Sequence, residues 1–219
     1  MHLIEAKELL SADNGMNLYR GCTHGCIYCD SRSRCYRFEH PFEDVAAKVN
    51  APELLDAALR RKRKTCMIGT GSMSDPYLPL ERELRLTRRC LERIAAHGFG
   101  LSILTKSARM LDDLPLLTAI RERARCVAQM TVTTFDDALC ALIEPGASRT
   151  GERLDALQRL RDAGVPAMVW LAPILPFIND TRENVEKIMR ALAEAGVCGV
   201  VCFGMGVTLR EGSREYFYA

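Results

Sequence analysis

The chain has 219 residues, of which 48% are hydrophobic and 26% charged, and its formal net charge is +2 at pH 7. These values are typical of a globular protein with one core, and so small a net charge gives no global field that would attract nucleic acid or a membrane. No apolar run approaches the roughly 20 residues that a membrane helix needs, and the first residues do not resemble a secretory leader. We therefore expect a cytoplasmic protein, in which ten cysteines indicate metal binding, catalysis or packing.

Strands and helices alternate along the chain. The predicted strands cover residues 16–20, 66–69, 101–104, 127–132, 167–171 and 199–203. The predicted helices cover residues 52–64, 81–97, 109–123, 136–143 and 151–163, and a last one is capped by Asp180 with Glu183 as its reciprocal partner. This alternation predicts parallel strands joined by right-handed crossovers.

The position of the long loops favours a barrel over a doubly wound sheet. Every elaborate loop, such as T-G-S-M-S-D-P-Y-L-P at 70–79 and A-P-I-L-P-F-I-N-D at 172–180, follows the carboxyl end of a strand. A barrel gathers these ends at one mouth, where active sites lie, but a full barrel has eight units and about 250 residues. We therefore expect an α/β fold, an open partial (β/α)6 barrel of the TIM type. It would be a single domain over residues 1–219, without a C-terminal extension and with aromatic residues at its end that have nothing to pack against.

Three cysteines stand close together in the loop 21–30, G-C-T-H-G-C-I-Y-C-D. They are Cys22, Cys26 and Cys29. Thiolates are soft ligands for iron–sulfur clusters or zinc. Most cubane clusters take four cysteines, so three would leave one iron open, with the ring of Tyr28 beside it. Zinc is the rival interpretation, with Cys35 or His24 as the fourth ligand. The remaining cysteines lie in apolar or periodic stretches and are predicted to pack: Cys66, Cys90, Cys126, Cys140, Cys198 and Cys202.

The spacing Cys-x3-Cys-x-aromatic-Cys resembles the hallmark of the radical S-adenosylmethionine (SAM) superfamily. Further stretches resemble its spore-photoproduct-lyase-like branch, namely F-E-D-V-A-A-K-V-N-A-P-E-L-L, T-V-T-T-F-D-D-A-L-C-A-L-I-E-P-G-A and L-A-P-I-L-P-F-I-N-D. The resemblance runs from about residue 16 to the end. It implies the superfamily's six-strand barrel and a [4Fe-4S] cluster on the three cysteines. It also implies reductive cleavage of SAM to a 5′-deoxyadenosyl radical, which abstracts a hydrogen atom from a substrate.

The same resemblance implies a set of SAM contacts. They are Tyr28, Gly69, Thr70, Gly71, Ser72, Ser74, Lys106, Thr131, Thr133, Pro173, Ile174 and Leu175. Residues 69–72 match the stretch that binds the SAM amine, although the usual glutamate is absent. Lys106 matches a lysine that meets the SAM carboxylate, and its alternative role is a salt bridge at the barrel rim. Thr131 and Thr133 match a ribose contact. Residues 173–175 match the apolar stretch beside the adenine, although the usual glycines of that stretch are replaced here. No catalytic residue is assigned.

The expected function is that of a radical SAM enzyme with an unknown substrate, for which nucleic acid stays open. Its partner would be an electron donor such as flavodoxin or ferredoxin, and not a membrane. One alternative is a non-catalytic zinc or iron–sulfur module that binds nucleic acid through the basic residues Arg32, Arg34, Arg37 and 60–64. The basic run 60–64 also suits the dipole at a helix C-terminus. Another alternative is an activase that places a radical on a partner protein.

The loop after the second strand separates this chain from the lyase itself. In the lyase, a cysteine in a Cys-x-Ser-Asp stretch returns a hydrogen atom to the product radical. The matching residues here begin with Ser72 and end with Asp75. Cys66 lies upstream inside the strand, which leaves Cys35 or Cys202 as substitute donors. We therefore expect SAM cleavage without efficient photoproduct repair.

Overall fold

The structure is a computed structural model that describes residues 1–219, with nine β-strands and eight α-helices. The strands are β1 (His2–Ile4), β2 (Gly15–Met16), β3 (Tyr19–Arg20), β4 (Ala46–Lys48), β5 (Met67–Thr70), β6 (Gly100–Thr105), β7 (Cys126–Thr131), β8 (Ala167–Trp170) and β9 (Gly199–Val201). The helices are α1 (Ala51–Arg61), α2 (Glu81–Leu84), α3 (Leu86–His97), α4 (Leu114–Arg123), α5 (Asp137–Ile143), α6 (Thr150–Asp162), α7 (Arg182–Ala195) and α8 (Ser213–Tyr218).

Six strands form one parallel sheet in the order β2-β5-β6-β7-β8-β9, which is also their order in the chain. Met67 lies opposite Gly100, and Ala128 opposite Ala167, so each strand pairs with the next one along the sequence. β2 and β9 do not pair with each other, so the barrel is open. The helices α1, α3, α4, α6 and α7 shield the sheet, and apolar strand residues with no exposed surface fill the core, among them Ile68, Leu101, Ile103, Met130 and Val169. The predicted α/β partial barrel is confirmed.

The first predicted strand, 16–20, is wrong in detail because its two ends pair with different partners. Gly15–Met16 pairs with β5 in the barrel, whereas Tyr19–Arg20 pairs antiparallel with β4. β4 also pairs with β1, which makes a second sheet of three strands that the sequence analysis missed. The barrel therefore starts with a very short strand, and the chain leaves it at once for the cysteine loop.

Two predicted helix features differ from the structure. The helix predicted at 81–97 is split into α2 and α3 at Arg85, whose backbone has a left-handed φ of 49°. The cap of α7 is Thr181 rather than Asp180, because the Thr181 hydroxyl accepts a hydrogen bond from the Asn184 N–H at 3.2 Å. The Asp180 carboxylate instead accepts from the Phe177 N–H at 3.0 Å, inside the preceding loop.

The aromatic chain end has packing partners, contrary to the sequence expectation. Phe217 packs on a small cluster of Cys26, Tyr28 and Leu175, and the Tyr216 ring lies 3.6 Å from the Arg32 guanidinium carbon. Helix α8 therefore covers the outside of the cysteine loop.

All ten cysteines are free thiols. Cys90, Cys126 and Cys140 are buried and Cys66 is half-buried against the core, as predicted. Cys198 and Cys202 are exposed, so the prediction that they pack is wrong; both flank the edge strand β9, which has only one neighbour. None of the helices is both long and apolar enough to cross a membrane.

Candidate active site

A cleft opens at the carboxyl ends of β5, β6 and β7, beside the cysteine loop. Its walls comprise Cys22, His24, Cys26, Tyr28, Cys29, Ser31, Gly71, Ser72, Met73, Ser74, Asp75, Leu104, Thr105, Lys106 and Thr131. The structure thus brings the three cysteines of one loop together with nine residues from three strand ends. This is the end of a parallel barrel at which active sites lie.

The cysteine loop is fixed by backbone contacts to three separate parts of the chain. These are Cys22 N–H to Phe42 O at 3.1 Å, Ile27 N–H to Ile143 O at 3.0 Å, Gly146 N–H to His24 O at 2.8 Å, and the Ser74 hydroxyl to Gly21 O at 2.6 Å. Gly21 has a φ of 99°, and a Cβ there would come within 2.3 Å of Phe42 O, so only glycine fits. The loop is therefore positioned before any metal binds.

His24 and Asp75 form a buried pair under the cleft. Nε2 of His24 lies 3.1 Å from Asp75 Oδ2, and Nδ1 lies 2.9 Å from Gly146 O. Asp75 also accepts hydrogen bonds from the Thr105 hydroxyl at 2.6 Å and the Lys106 N–H at 2.7 Å. Burial acts to raise the pKa of Asp75, but the His24 ring and these donors outweigh burial and hold the pKa well below its usual value. The His24 ring thus lies between Gly146 O, which Nδ1 contacts, and the Asp75 carboxylate, which Nε2 approaches without hydrogen-bond geometry.

The second candidate for a fourth ligand, Cys35, lies outside the cleft. It is exposed, in a short 3-10 turn (Arg34–Tyr36), and its sulfur is 3.7 Å from Nη1 of Arg210. The three loop thiols line one cleft, and three soft donors are the ligand type that iron–sulfur clusters take.

Burial raises the pKa of two of the loop thiols. It raises the pKa of Cys22 to about 12 and raises the pKa of Cys26 further. Only thiolates ligate metal, so binding iron here must release protons.

A buried ion pair behind the cysteine loop was missed in the sequence. Glu144 and Arg153 are both fully buried, with Arg153 Nη2 2.5 Å from Glu144 Oε2. The Tyr28 hydroxyl donates to Glu144, and the Thr133 hydroxyl lies 3.4 Å from it. Burial acts to raise the pKa of Glu144, but Arg153 and Lys106 outweigh burial and lower it. Glu144 therefore holds Tyr28 in place as a carboxylate.

Breaking this pair should strongly destabilise the fold. We expect Arg153→Met to lower the free energy of unfolding by about 3–5 kcal/mol, because Glu144 would be left as an uncompensated buried charge. The double variant Glu144→Gln/Arg153→Met should lose less than the sum of the two single changes. Urea unfolding followed by circular dichroism measures both. Arg190→Met, which removes an exposed pair with Glu186 on α7, is the control and should change stability by less than about 0.5 kcal/mol. A buried-pair variant as stable as this control would contradict the interpretation.

Lys106 forms no salt bridge in the structure, so its alternative role as a salt-bridge partner at the barrel rim is not observed. Its ammonium group lies 5.7 Å from the centroid of the Tyr28 ring and lines the cleft. Burial acts to lower the pKa of Lys106, but the Cys26 and Glu144 side chains outweigh burial and raise it. The cleft therefore contains a cation with no carboxylate partner.

The other predicted SAM contacts divide into two groups. Gly71, Ser72, Ser74 and Thr131 line the cleft together with Tyr28. A Cβ at Gly71 would lie 1.9 Å from Leu104 O, so this close approach of two backbones requires glycine. The residues outside the cleft are Gly69 and Thr70, within β5, and Thr133, Pro173, Ile174 and Leu175. Asn179 holds the last loop back, donating to Thr133 O at 2.8 Å and to Pro173 O at 3.2 Å.

Three of the eight basic residues of the nucleic-acid alternative pair with carboxylates. Arg32 pairs with Glu43, Arg34 with Glu211 and Arg60 with Asp56. Arg32 is mostly buried between Phe42 and Tyr216 rather than displayed to solvent. These three arginines are therefore engaged within the protein, whereas Arg37, Arg61, Arg63 and Lys64 are exposed.

Comparison with curated proteins finds related chains. An uncharacterised protein of Mycobacterium tuberculosis (strain ATCC 25618 / H37Rv) is 33% identical over 210 residues, covering 92% of this chain and 61% of its own. The present chain thus spans about three fifths of the length of that relative. A protein of Pseudomonas phage M6 named radical SAM Nalpha-GlyT isomerase is 25% identical over 177 residues, covering 80% of this chain and 35% of the phage protein.

Comparison with solved structures and family models agrees with the geometry. A mutant of spore photoproduct lyase with bound AdoMet and dinucleoside spore photoproduct superposes with a TM-score of 0.69 at 16% identity, over 91% of this chain and 58% of the lyase. That similarity concerns the fold. The model of the Radical SAM superfamily matches residues 16–192, which include the cysteine loop and the barrel. The chain belongs to the radical SAM superfamily, whose cofactors are a [4Fe-4S] cluster and S-adenosylmethionine.

Proposed function

We propose that this chain cleaves SAM reductively and uses the resulting radical to remove a hydrogen atom from a substrate. The observation that carries the proposal is the cleft itself, where three loop cysteines face an unpaired lysine at the barrel mouth. When bound, the cluster supplies one electron that splits SAM into methionine and a 5′-deoxyadenosyl radical. All further roles belong to the chain's own residues, which must bind, orient and shield the reactants.

The cysteines would hold three irons of the cluster and leave the fourth accessible from the cleft. Cys22, Cys26 and Cys29 are the ligands, and the backbone at Gly71 and Ser72 approaches from the facing wall. The Ser74 hydroxyl already donates to Gly21 O, so Ser74 helps to position the loop. Tyr28, held by Glu144, closes the side of the cleft next to Lys106.

Lys106 is proposed to bind the SAM carboxylate. We expect Lys106→Met to weaken SAM binding by about 10- to 100-fold, because hydrogen bonds to charged groups are worth about 1.5–3 kcal/mol. Equilibrium dialysis of SAM against the reconstituted protein, without reductant, measures binding apart from cleavage. Lys187→Met is the matched control, because Lys187 is a surface lysine paired with Glu183 on α7. Equal SAM affinity in the two variants would argue against the assignment.

The substrate class that we propose is nucleic acid. Three phenylalanines are exposed on consecutive loops at the mouth: Phe135 after β7, Phe177 after β8 and Phe203 after β9. Phe177 is 99% exposed on a backbone with a φ of 66°, an arrangement that costs stability without a ligand. Exposed aromatic faces stack on bases.

An electron donor such as flavodoxin or ferredoxin, and a reducing cytoplasm, complete the proposal. Ten free cysteines without a disulfide are consistent with that compartment. The direct test is formation of 5′-deoxyadenosine by anaerobically reconstituted protein given SAM and a strong reductant. An activase would also pass this test, and only a screen for partner proteins that acquire a radical separates the two.

A further inference from the structure

A recess of about 400 Å³ lies beside the mouth, between the α2–α3 junction and the 3-10 segment Ala108–Asp113. Four arginines line it: Arg82, Arg85, Arg88 and Arg109. Guanidinium groups are always charged and present planar donors that match phosphate oxygens. Four guanidinium groups around one recess need anionic partners, and the carboxylates of the recess are the first candidates.

The acidic residues of the recess are already engaged. The buried Glu81 carboxylate accepts a hydrogen bond from the Thr87 N–H at 2.9 Å. Asp113, also buried, accepts from the Tyr77 hydroxyl at 3.2 Å and pairs with Arg88 at 2.9 Å. Both carboxylates are therefore engaged in hydrogen bonds within the fold. Among the four arginines, only Arg88 pairs with one of them.

The other arginines keep unused donors. Asp112 contacts Arg109 only at 3.4 Å, and Nε and Nη1 of Arg109 have no partner. Arg82 and Arg85 are exposed and have no carboxylate partner at all. Arg85 also occupies a left-handed backbone conformation that is unfavourable for a non-glycine residue and is characteristic of functional sites. Positive charge is thus in excess at a point where the chain accepts strain.

We propose that this recess binds a phosphate group, held by Arg82 and Arg85 above a floor set by Arg88 and Arg109. The recess is directly linked to the cleft, because the Tyr77 N–H donates at 2.8 Å to Asp75, which lines the cleft. The phosphate belongs either to a small phosphate ester or to a nucleic-acid backbone, which share this chemistry. Binding here requires neither the cluster nor SAM, so it stands or falls independently of the proposed reaction.

The test is calorimetric titration of pyrophosphate into the purified chain in a phosphate-free buffer. The double variant Arg82→Ala/Arg85→Asn should bind pyrophosphate at least about tenfold more weakly, because two charge-assisted contacts are lost. Asparagine at position 85 tolerates the left-handed backbone, and both side chains are exposed, so the fold should persist. Titrations of ribose 5-phosphate and of oligothymidylate without terminal phosphate then show whether the site prefers a small phosphate ester or a nucleic-acid backbone.

The matched control is Arg60→Ala/Arg61→Ala, which removes the same charge at the C-terminal end of α1. Pyrophosphate affinity should be unchanged in this control. Equal weakening in both double variants would show only nonspecific charge attraction, and undiminished binding after the changes at 82 and 85 would exclude the site. Either result overturns the proposal.

Discussion

Alanine at Cys22, Cys26 or Cys29 should each abolish the cluster, with iron content after anaerobic reconstitution falling at least about tenfold. The three thiols line one cleft on a loop that other parts of the chain hold in place, so no neighbouring donor can replace a lost one. Even groups that only orient a metal ligand change affinity about 10- to 100-fold when mutated, and a direct ligand matters more. Iron and sulfide per chain, together with visible absorbance, provide the measurement.

Cys35→Ala is the control and should keep full iron. Its thiol is exposed and contacts Arg210 outside the cleft. Loss of iron in this variant, or normal iron in any of the three loop variants, would contradict the three-ligand assignment.

We expect this chain to repair spore photoproduct far more slowly than it cleaves SAM, or not at all. Ser72 lines the cleft, and the sequence resemblance matches it to the lyase's hydrogen-donating cysteine. An alcohol O–H bond is much stronger than a thiol S–H bond and cannot return hydrogen to a carbon radical. Incubation of reconstituted protein with dinucleotide spore photoproduct, analysed for thymine products, is the measurement. The Ser72→Cys variant should gain repair activity, which should rise from undetectable to measurable.

Two other thiols test the specificity of that result. Cys66 precedes β5 at the amino end of the strand, away from the mouth, and packs against the core. Cys202 follows β9 and is exposed, but does not line the cleft. Serine at either position should leave the outcome for Ser72→Cys unchanged. Clean repair by the unmodified chain would refute the prediction and direct attention to Cys202.

The sequence was informative about the fold because parallel β/α units are local. Each predicted strand except the last is followed by at least one predicted helix, and the chain order of the six strands is also their order in the sheet. The errors fall where pairing is not local. The stretch 16–20 reads as one strand, but its halves have partners far along the chain, at β5 and β4. The break at Arg85 lies within an unbroken helical pattern, and no glycine or proline marks it.

The same distinction between local motifs and long-range contacts explains which parts of the site were predicted from the sequence. The cysteine spacing, the 70–79 loop and Lys106 were recognisable because each is a short motif after one strand. The Glu144–Tyr28 contact joins residues 116 positions apart, and Glu144 in the sequence looks only like the end of a helix. Likewise, nothing local predicts that His24 meets Asp75, or that Arg32 is enclosed by two aromatic rings. Long-range side-chain partners are set by packing, which a single sequence does not display.

The most direct test of radical SAM chemistry in this chain is the yield of 5′-deoxyadenosine. The anaerobically reconstituted protein is incubated with SAM and dithionite, and the nucleoside and methionine are quantified by chromatography. We expect both products in equal amounts, formed only with reductant present and absent in the Cys26→Ala variant. Protein that holds a full cluster and binds SAM, yet forms no 5′-deoxyadenosine with reductant present, would contradict the account.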